Sequence, residues 1–285
     1  MNFLYFTLVL VFSMFFMHPI YLAISLLCAA AFSVRLSGEK SFKSQRRFLL
    51  PIIIIIALIN PAFSHEGVTI LAYLPSGNPL TLESIVYGAA AAVMLAAVVM
   101  WFFCFNAVIT TDKFVYLFGR VIPAISLMLS MALRFVPRFR AQFGEVSAAQ
   151  RCIGRDVSEG SIPERLKKAA SIVSIMITWS LENAVDTADS MKSRGYGLSG
   201  RTAFSVYRFD GRDKALLAWL LLCGFYIACG WAAGGMEFHY YPMMKGTQLG
   251  VFQLSFMTAY LLLCLTPVIL DAVEDKKWKR LNSAA

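Results

Sequence analysis

From Phe48 to Asp112 the chain carries no lysine or arginine, and from Ala215 to Asp275 it carries only Lys245. More than half of its 26 Lys and Arg fall instead between Arg134 and Lys214. Long cation-free apolar runs have few stable folds open to them. A helix that crosses the roughly 30 Å hydrocarbon layer of a bilayer needs about 20 such residues. The 285-residue chain is 58% hydrophobic and 15% charged, with a mean hydropathy of +0.65. Soluble domains carry about 25% charged residues, so this is an integral membrane composition. Under the positive-inside rule the cationic middle segment is cytoplasmic. The formal charge of +9 follows that topology and forms no stripe for nucleic acid.

Residues Asn2 to Val34 are apolar for longer than one span, with His18-Pro19 in the middle. Proline breaks the hydrogen-bond ladder, which predicts either two short helices or one kinked span. No basic n-region and no small-x-small site marks this run as a removable signal peptide. A basic loop with Arg35, Lys40, Lys43, Arg46 and Arg47 follows, then a span from Phe48 to Phe63 ending at Asn60-Pro61. The turn-rich loop around Pro75, Gly77 and Pro79 lacks cations and faces outward. Ser84 to Ile109 spans back and ends near Asp112-Lys113. The run Phe114 to Leu133, interrupted by Arg120 and Pro123, reads as a helix packed on the others or lying at the interface. Leu216–Ala233 and Leu249–Leu270 form an outbound and inbound pair. They return Lys276, Lys277, Lys279 and Arg280 to the cytoplasm. The expected division is 1–113, 114–213 and 214–285.

Within the basic segment, a helix is expected through Gln150, stopping near Gly154. The clearest helix is 162–194. Ser161 is a plausible cap, Pro163 suits the first turn, and Gly195 and Gly197 end it. Ile162, Leu166, Ala169, Val173, Met176, Ala184, Ala188 and Met191 recur at three- and four-residue steps as an apolar stripe. Ser171, Ser174, Thr178, Glu182, Asp186 and Asp189 make the second face too polar for lipid. Arg194-Gly195 by itself reads as a glycine-capped C-terminus with a cation at the negative end of the helix dipole.

Little recognisable catalytic chemistry accompanies this architecture. No G-x-x-x-x-G-K-[ST] loop, H-E-x-x-H pair or nucleophile elbow occurs. His18, His65 and His239 lie far apart, so no metal site is expected, although His65 beside Glu66 is a candidate ligand contact against a solvated role. Cys28, Cys104, Cys152, Cys223, Cys229 and Cys264 are scattered, and most read as small hydrophobes without a disulfide framework. Asp186 and Asp189 form one D-x-x-D, as in membrane prenyltransferases, but such enzymes need a second motif. A polar, solvated or partner-facing helix side explains the pair more simply. A conventional ABC permease with its own translocation path is a further alternative. No enzyme activity and no cofactor are expected.

Five short motifs in order carry a family resemblance. Asn60-Pro61-Ala62-Phe63-Ser64-His65-Glu66-Gly67 is similar to N-P-x-x-x-H-x-G, and Thr81-Leu82-Glu83 before Tyr87-Gly88 fits the segment that follows. Leu133-Arg134-Phe135-Val136-Pro137 resembles an R-F-V/I-P sequence. Ala149-Gln150-Arg151-Cys152-Ile153-Gly154 and Ser190-Met191-Lys192-Ser193-Arg194-Gly195 correspond to two short arginine motifs. Over nearly its whole length the chain resembles the transmembrane T component of energy-coupling factor (ECF) transporters, the EcfT/CbiQ family.

The resemblance implies an all-α polytopic membrane protein with five to six transmembrane helices and a cytoplasmic domain of long crossing helices. It implies a complex in the bilayer with two ABC ATPase subunits and a small membrane S component that binds a vitamin or metal ion. The two long helices would dock their arginine motifs in the ATPases, through Arg151, Cys152, Ile153, Gly154 and Arg155 at one end and Ser193, Arg194 and Gly195 at the other. Ala169, Val173, Met176, Ala184 and Ala188 would face the S component, or else pack as core. The first motif departs from the pattern, because Ile153 stands where the family has its arginine. Either Arg151 or Arg155 substitutes, or the first contact is more apolar; Arg194 is the better candidate of the two ends.

Overall fold

The computed structural model describes residues 1–285 apart from 65, 74–78, 120–121, 199–208, 247–249 and 283–285. His65, Arg120 and the turn around Gly77 therefore lie outside the described residues. Eight helices carry most of the chain: α1 (Asn2–Phe15), α2 (Pro19–Phe63), α3 (Leu82–Val108), α4 (Thr111–Gly119), α5 (Pro123–Cys152), α6 (Ile162–Ser193), α7 (Gly211–Ala232) and α8 (Val251–Asn282). Two small antiparallel pairs accompany them, β1 (Ile70–Tyr73) with β2 (Pro79–Thr81) and β3 (Phe238–His239) with β4 (Lys245–Gly246).

The early apolar run forms two helices. They part at His18, whose Nδ1 accepts the Ile20 N–H at 3.3 Å, and Pro19 opens α2. α2 itself has two arms, Pro19–Glu39 and Ser41–Phe63. Ser33 Oγ donates to Gln45 Oε1 at 2.6 Å although the residues are 12 apart. A straight helix would separate them by about 18 Å, so the chain reverses between them. Gly38, at φ 76°, takes the one non-helical conformation of the reversal. The basic stretch expected as a loop is therefore helical on both sides of one glycine. Among the described residues, five segments are long and apolar enough to span a bilayer: the two arms of α2, then α3, α7 and α8. α1 is apolar but has 14 residues, about 21 Å of helix, which is short of the hydrocarbon thickness.

The chain divides into two compact units, residues 1–110 with 209–285, and residues 111–208. In the first unit, α1, α2, α3, α7 and α8 share one core around the fully buried Trp101. Its indole Nε1 donates to Ser25 Oγ at 3.0 Å. Ser13 Oγ bonds Ser25 Oγ at 2.8 Å and Tyr260 Oη at 3.2 Å. Four helices are thus joined by polar contacts inside an apolar bundle. Polar contacts between helices in a membrane contribute about 0.6 kcal/mol each on average, so their main effect is to select one register.

Two of the motif segments meet in this unit. Gly88 of α3 lies so close to the second arm of α2 that a Cβ there would fall 2.9 Å from Asn60 Cβ and 3.0 Å from the Ala57 carbonyl oxygen. The buried Glu83 carboxylate accepts the Thr69 N–H at 3.3 Å and the Thr69 hydroxyl. Thr81 Oγ1 donates to the Glu66 carbonyl at 2.8 Å, and Ser84 Oγ to the Ser64 carbonyl at 2.7 Å. The segment after Pro61 is thereby strapped across the start of α3. Backbone cannot retreat as a flexible side chain does, so Gly88→Ala costs about 1–3 kcal/mol of overpacking. It should lower the thermal unfolding midpoint of the detergent-solubilised protein, and an unchanged midpoint would contradict this packing.

Candidate functional site

The second unit is built on two long helices. α5 and α6 meet where Phe139 packs edge-on to Trp179, with ring centroids 5.8 Å apart, and where the Arg138 guanidinium sits 5.6 Å over the Trp179 ring. Such a cation–π contact stabilises the crossing by about 0.5–1 kcal/mol at an exposed site. α4 packs on α5, and Ser126 Oγ donates to the Val115 carbonyl at 3.0 Å. Trp179 has no place in the sequence motifs. Along the chain it is only the one tryptophan of α6, and nothing there links it to the Arg138-Phe139 pair after Pro137.

Both long helices end in the same way. In α5, Gly154 N–H donates to the Arg151 carbonyl at 3.0 Å and Arg155 N–H to the Gln150 carbonyl at 2.9 Å. In α6, Gly195 N–H donates to Lys192 at 2.9 Å and Tyr196 N–H to Met191 at 3.0 Å. Each pair is a Schellman cap, with glycine in the left-handed conformation at φ 75° and 77°. Such a cap satisfies carbonyls that would otherwise lack donors and fixes the direction in which the next side chains leave. Aligned by these bonds, Ile153 occupies the position of Arg194, Arg151 that of Lys192, and Arg155 that of Tyr196.

The first end is held by its own loop. Arg151 Nε lies 3.0 Å from Asp156 Oδ2, and Asp156 Oδ1 accepts the Ser158 N–H at 3.0 Å. From α6, Lys168 Nζ donates to the Asp156 and Glu159 carbonyls at 3.0 and 2.9 Å, and Arg165 Nε donates to the Val157 carbonyl at 2.9 Å. Glu164 accepts the Ser161 N–H at 3.1 Å, completing the N-terminus expected at Ser161. α6 therefore begins beside the α5 end and runs away from it. From Lys168 to Ser193 this places on the order of 35 Å of helix between the two capped ends.

Cys152, Ile153, Gly154, Arg155, Ser193 and Arg194 are exposed, and Gly195 is half-buried. Arg194 and Arg155 make no ion pair among the described residues, whereas Arg151 is engaged. The apolar stripe of α6 is split. Met176 is 3% exposed and Ile172 2%, and Ala169 is half-buried. Val173, Ala184 and Ala188 are exposed, in line with Leu166, Ile177 and Leu181. Three- and four-residue steps fit two adjacent faces of one helix, and only packing tells them apart. Of the two readings open for Met176, a partner surface or packed core, the packing within this unit places it in the core. Asp186 and Asp189 are exposed, with Asp189 4.0 Å from Lys192. No third acidic, thiol or imidazole group joins them among the described residues.

The Ser158 amide, the Ser158 side chain and the Arg151 guanidinium together hold the Asp156 carboxyl below the usual carboxylate range. Its contribution is complete above the unfolded aspartate value of about 3.9 and is lost as pH falls through the lower folded value. The protection factor of the Ser158 amide in hydrogen exchange should therefore stay constant from about pH 8 to about pH 5 and fall only in stronger acid. Loss of protection already near pH 6 would refute this account.

Residues 1–204 match the family described as cobalt transport protein, CbiQ. Among curated proteins, the chain is 38% identical over 99 residues to the energy-coupling factor transporter transmembrane protein EcfT of Lactobacillus helveticus, covering 34% of this chain and 36% of that protein. It is 36% identical over 106 residues to EcfT 1 of Listeria monocytogenes (36% and 40%) and 28% identical over 99 residues to EcfT of Bacillus subtilis (34% and 37%). These matches span little more than a third of each relative.

Proposed function

Because the chain belongs to the cobalt transport protein (CbiQ) family, we propose that it is the non-catalytic coupling subunit of an energy-coupling factor importer in the bacterial membrane. It carries the ATP-driven motion of two ABC ATPases to a small membrane S component that binds a vitamin or metal ion. The observation that carries this reading is the pair of matched, glycine-capped ends, held on the order of 35 Å apart on one compact unit. A single docking site would not need two.

Each capped end enters a groove of one ATPase. A guanidinium stays charged and offers five donors in a planar fork, which suits carboxylates in such a groove. Closure of the ATPases on ATP displaces the ends. Beyond Pro137, which removes one bond from the α5 ladder, both helices run on as hydrogen-bonded rods to their capped ends, and they tilt about the Trp179 crossing. The exposed face of α6 with Val173, Ile177, Leu181, Ala184 and Ala188 bears the S component, and its small residues permit close approach. Ile172 and Met176 stay inside.

Once the Arg194 pair is desolvated, removing one partner costs about 3–5 kcal/mol. Arg194→Ala should weaken retention of the ATPases by at least about a hundredfold, and Arg194→Glu more, because a carboxylate then meets a carboxylate. Reconstituted vesicles of either variant should lose substrate uptake. Wild-type uptake with Arg194→Glu would sink the reading.

A further inference from the structure

The two capped ends share backbone geometry but not chemistry. Ile153 (φ −95°, ψ 17°) and Arg194 (φ −84°, ψ 10°) both stand at the last half-helical position before the left-handed glycine. Their Cα–Cβ bonds therefore leave the two helix ends in the same direction. One end offers a guanidinium there and the other a branched aliphatic side chain. Ile153 is 63% exposed, so no part of the described chain covers most of it.

Neither neighbouring arginine restores the missing charge at that position. Arg151 lies two residues earlier and is paired with Asp156, which is itself held by the Ser158 amide. Arg155 follows the glycine, where α6 has Tyr196, and the left-handed residue turns the chain before Arg155 is reached. The loop behind Ile153 is pinned by Lys168 and Arg165, so the isoleucine is presented with little ordering entropy left to lose on binding.

We propose that the α5 end docks as an apolar knob, with Ile153 entering a pocket of aliphatic or aromatic side chains on the ATPase that faces it. The proposal rests on the coupling reading above and adds to it the chemistry of one partner surface. The acidic partner is needed only opposite Arg194. Burying a branched aliphatic side chain stabilises a contact without dependence on salt, whereas ion pairing is screened. The two ends thus hold their ATPases by forces of different kind.

The test uses the full chain assembled with its ATPase pair in detergent. Retention of the ATPases is measured for Ile153→Asp, Ile153→Arg, Ile153→Leu and Arg194→Ala at about 0.1 and 0.5 M salt, salt concentrations that differ severalfold in screening strength. Ile153→Asp and Ile153→Arg should each weaken retention about tenfold or more, equally at both salts. Ile153→Leu should behave as wild type, and the Arg194→Ala loss should shrink only partly at high salt, because its pair is screened on approach through water and much less once desolvated. Ile153 is exposed, so these changes leave the chain folded, which an unchanged thermal midpoint verifies. Wild-type retention by Ile153→Asp, or tighter retention by Ile153→Arg, overturns the proposal. If Arg194→Ala also binds as wild type, the coupling reading fails with it; if Arg194→Ala is impaired while Ile153→Asp is silent, only the apolar knob is wrong.

Discussion

Hydrocarbon offers a peptide group no hydrogen-bond partner, and each unpaired N–H or C=O left in it costs several kcal/mol. The first unit meets that constraint chiefly by closing backbone bonds within helices, interrupted at Pro51, Pro61 and Pro267, and by turning several polar side chains inward. Ser13, Ser25, Trp101 and Tyr260 satisfy one another at the centre of the bundle. Trp101 carries a large apolar surface with one donor, so a single hydroxyl suffices to bury it. In a phase where Leu against lipid is as favourable as Leu against Leu, such directional contacts and close approaches like that of Gly88 decide which helices become neighbours.

The second unit meets the same accounting by other means at its helix ends. Its long helices would fray at their C-termini, where the last carbonyls have no intrahelical donors. Schellman caps at Gly154 and Gly195 close them, and the result is two stiff ends with defined side-chain directions. The loop from Ile153 to Ser161 is likewise held by side chains of α6, so a stretch that reads as a simple connection is a fixed platform.

Much of this was legible beforehand for identifiable reasons. Span number followed from apolar length, helix ends from Ser161, Gly154 and Gly195, and the family from five motifs in order. The reversal inside α2 was misread as a loop, because charges clustered around Gly38 resemble a solvated connection whether or not they are helical. The α6 stripe left open which of its residues pack as core and which face outward. At a period near 3.6, Met176 and Val173 are both reasonable members of one apolar face, yet packing buries the first and exposes the second. Trp179 was missed because a lone aromatic in a polar helix announces nothing until Arg138 and Phe139 are seen against it.

Composition and order alone determined that this chain crosses a membrane several times and where its long helices stop. Those properties are local: they depend on transfer free energies and on backbone preferences that each residue carries with it. Which arginine is free was decided only in three dimensions. Arg194 already stood out along the chain, but whether Arg151 or Arg155 could stand in for it at the other end did not: Asp156 engages the first, a left-handed glycine redirects the second, and Arg194 is left exposed at its helix end. Charge pairing and side-chain direction depend on what the fold brings within a few ångströms, and sequence spacing does not encode that distance.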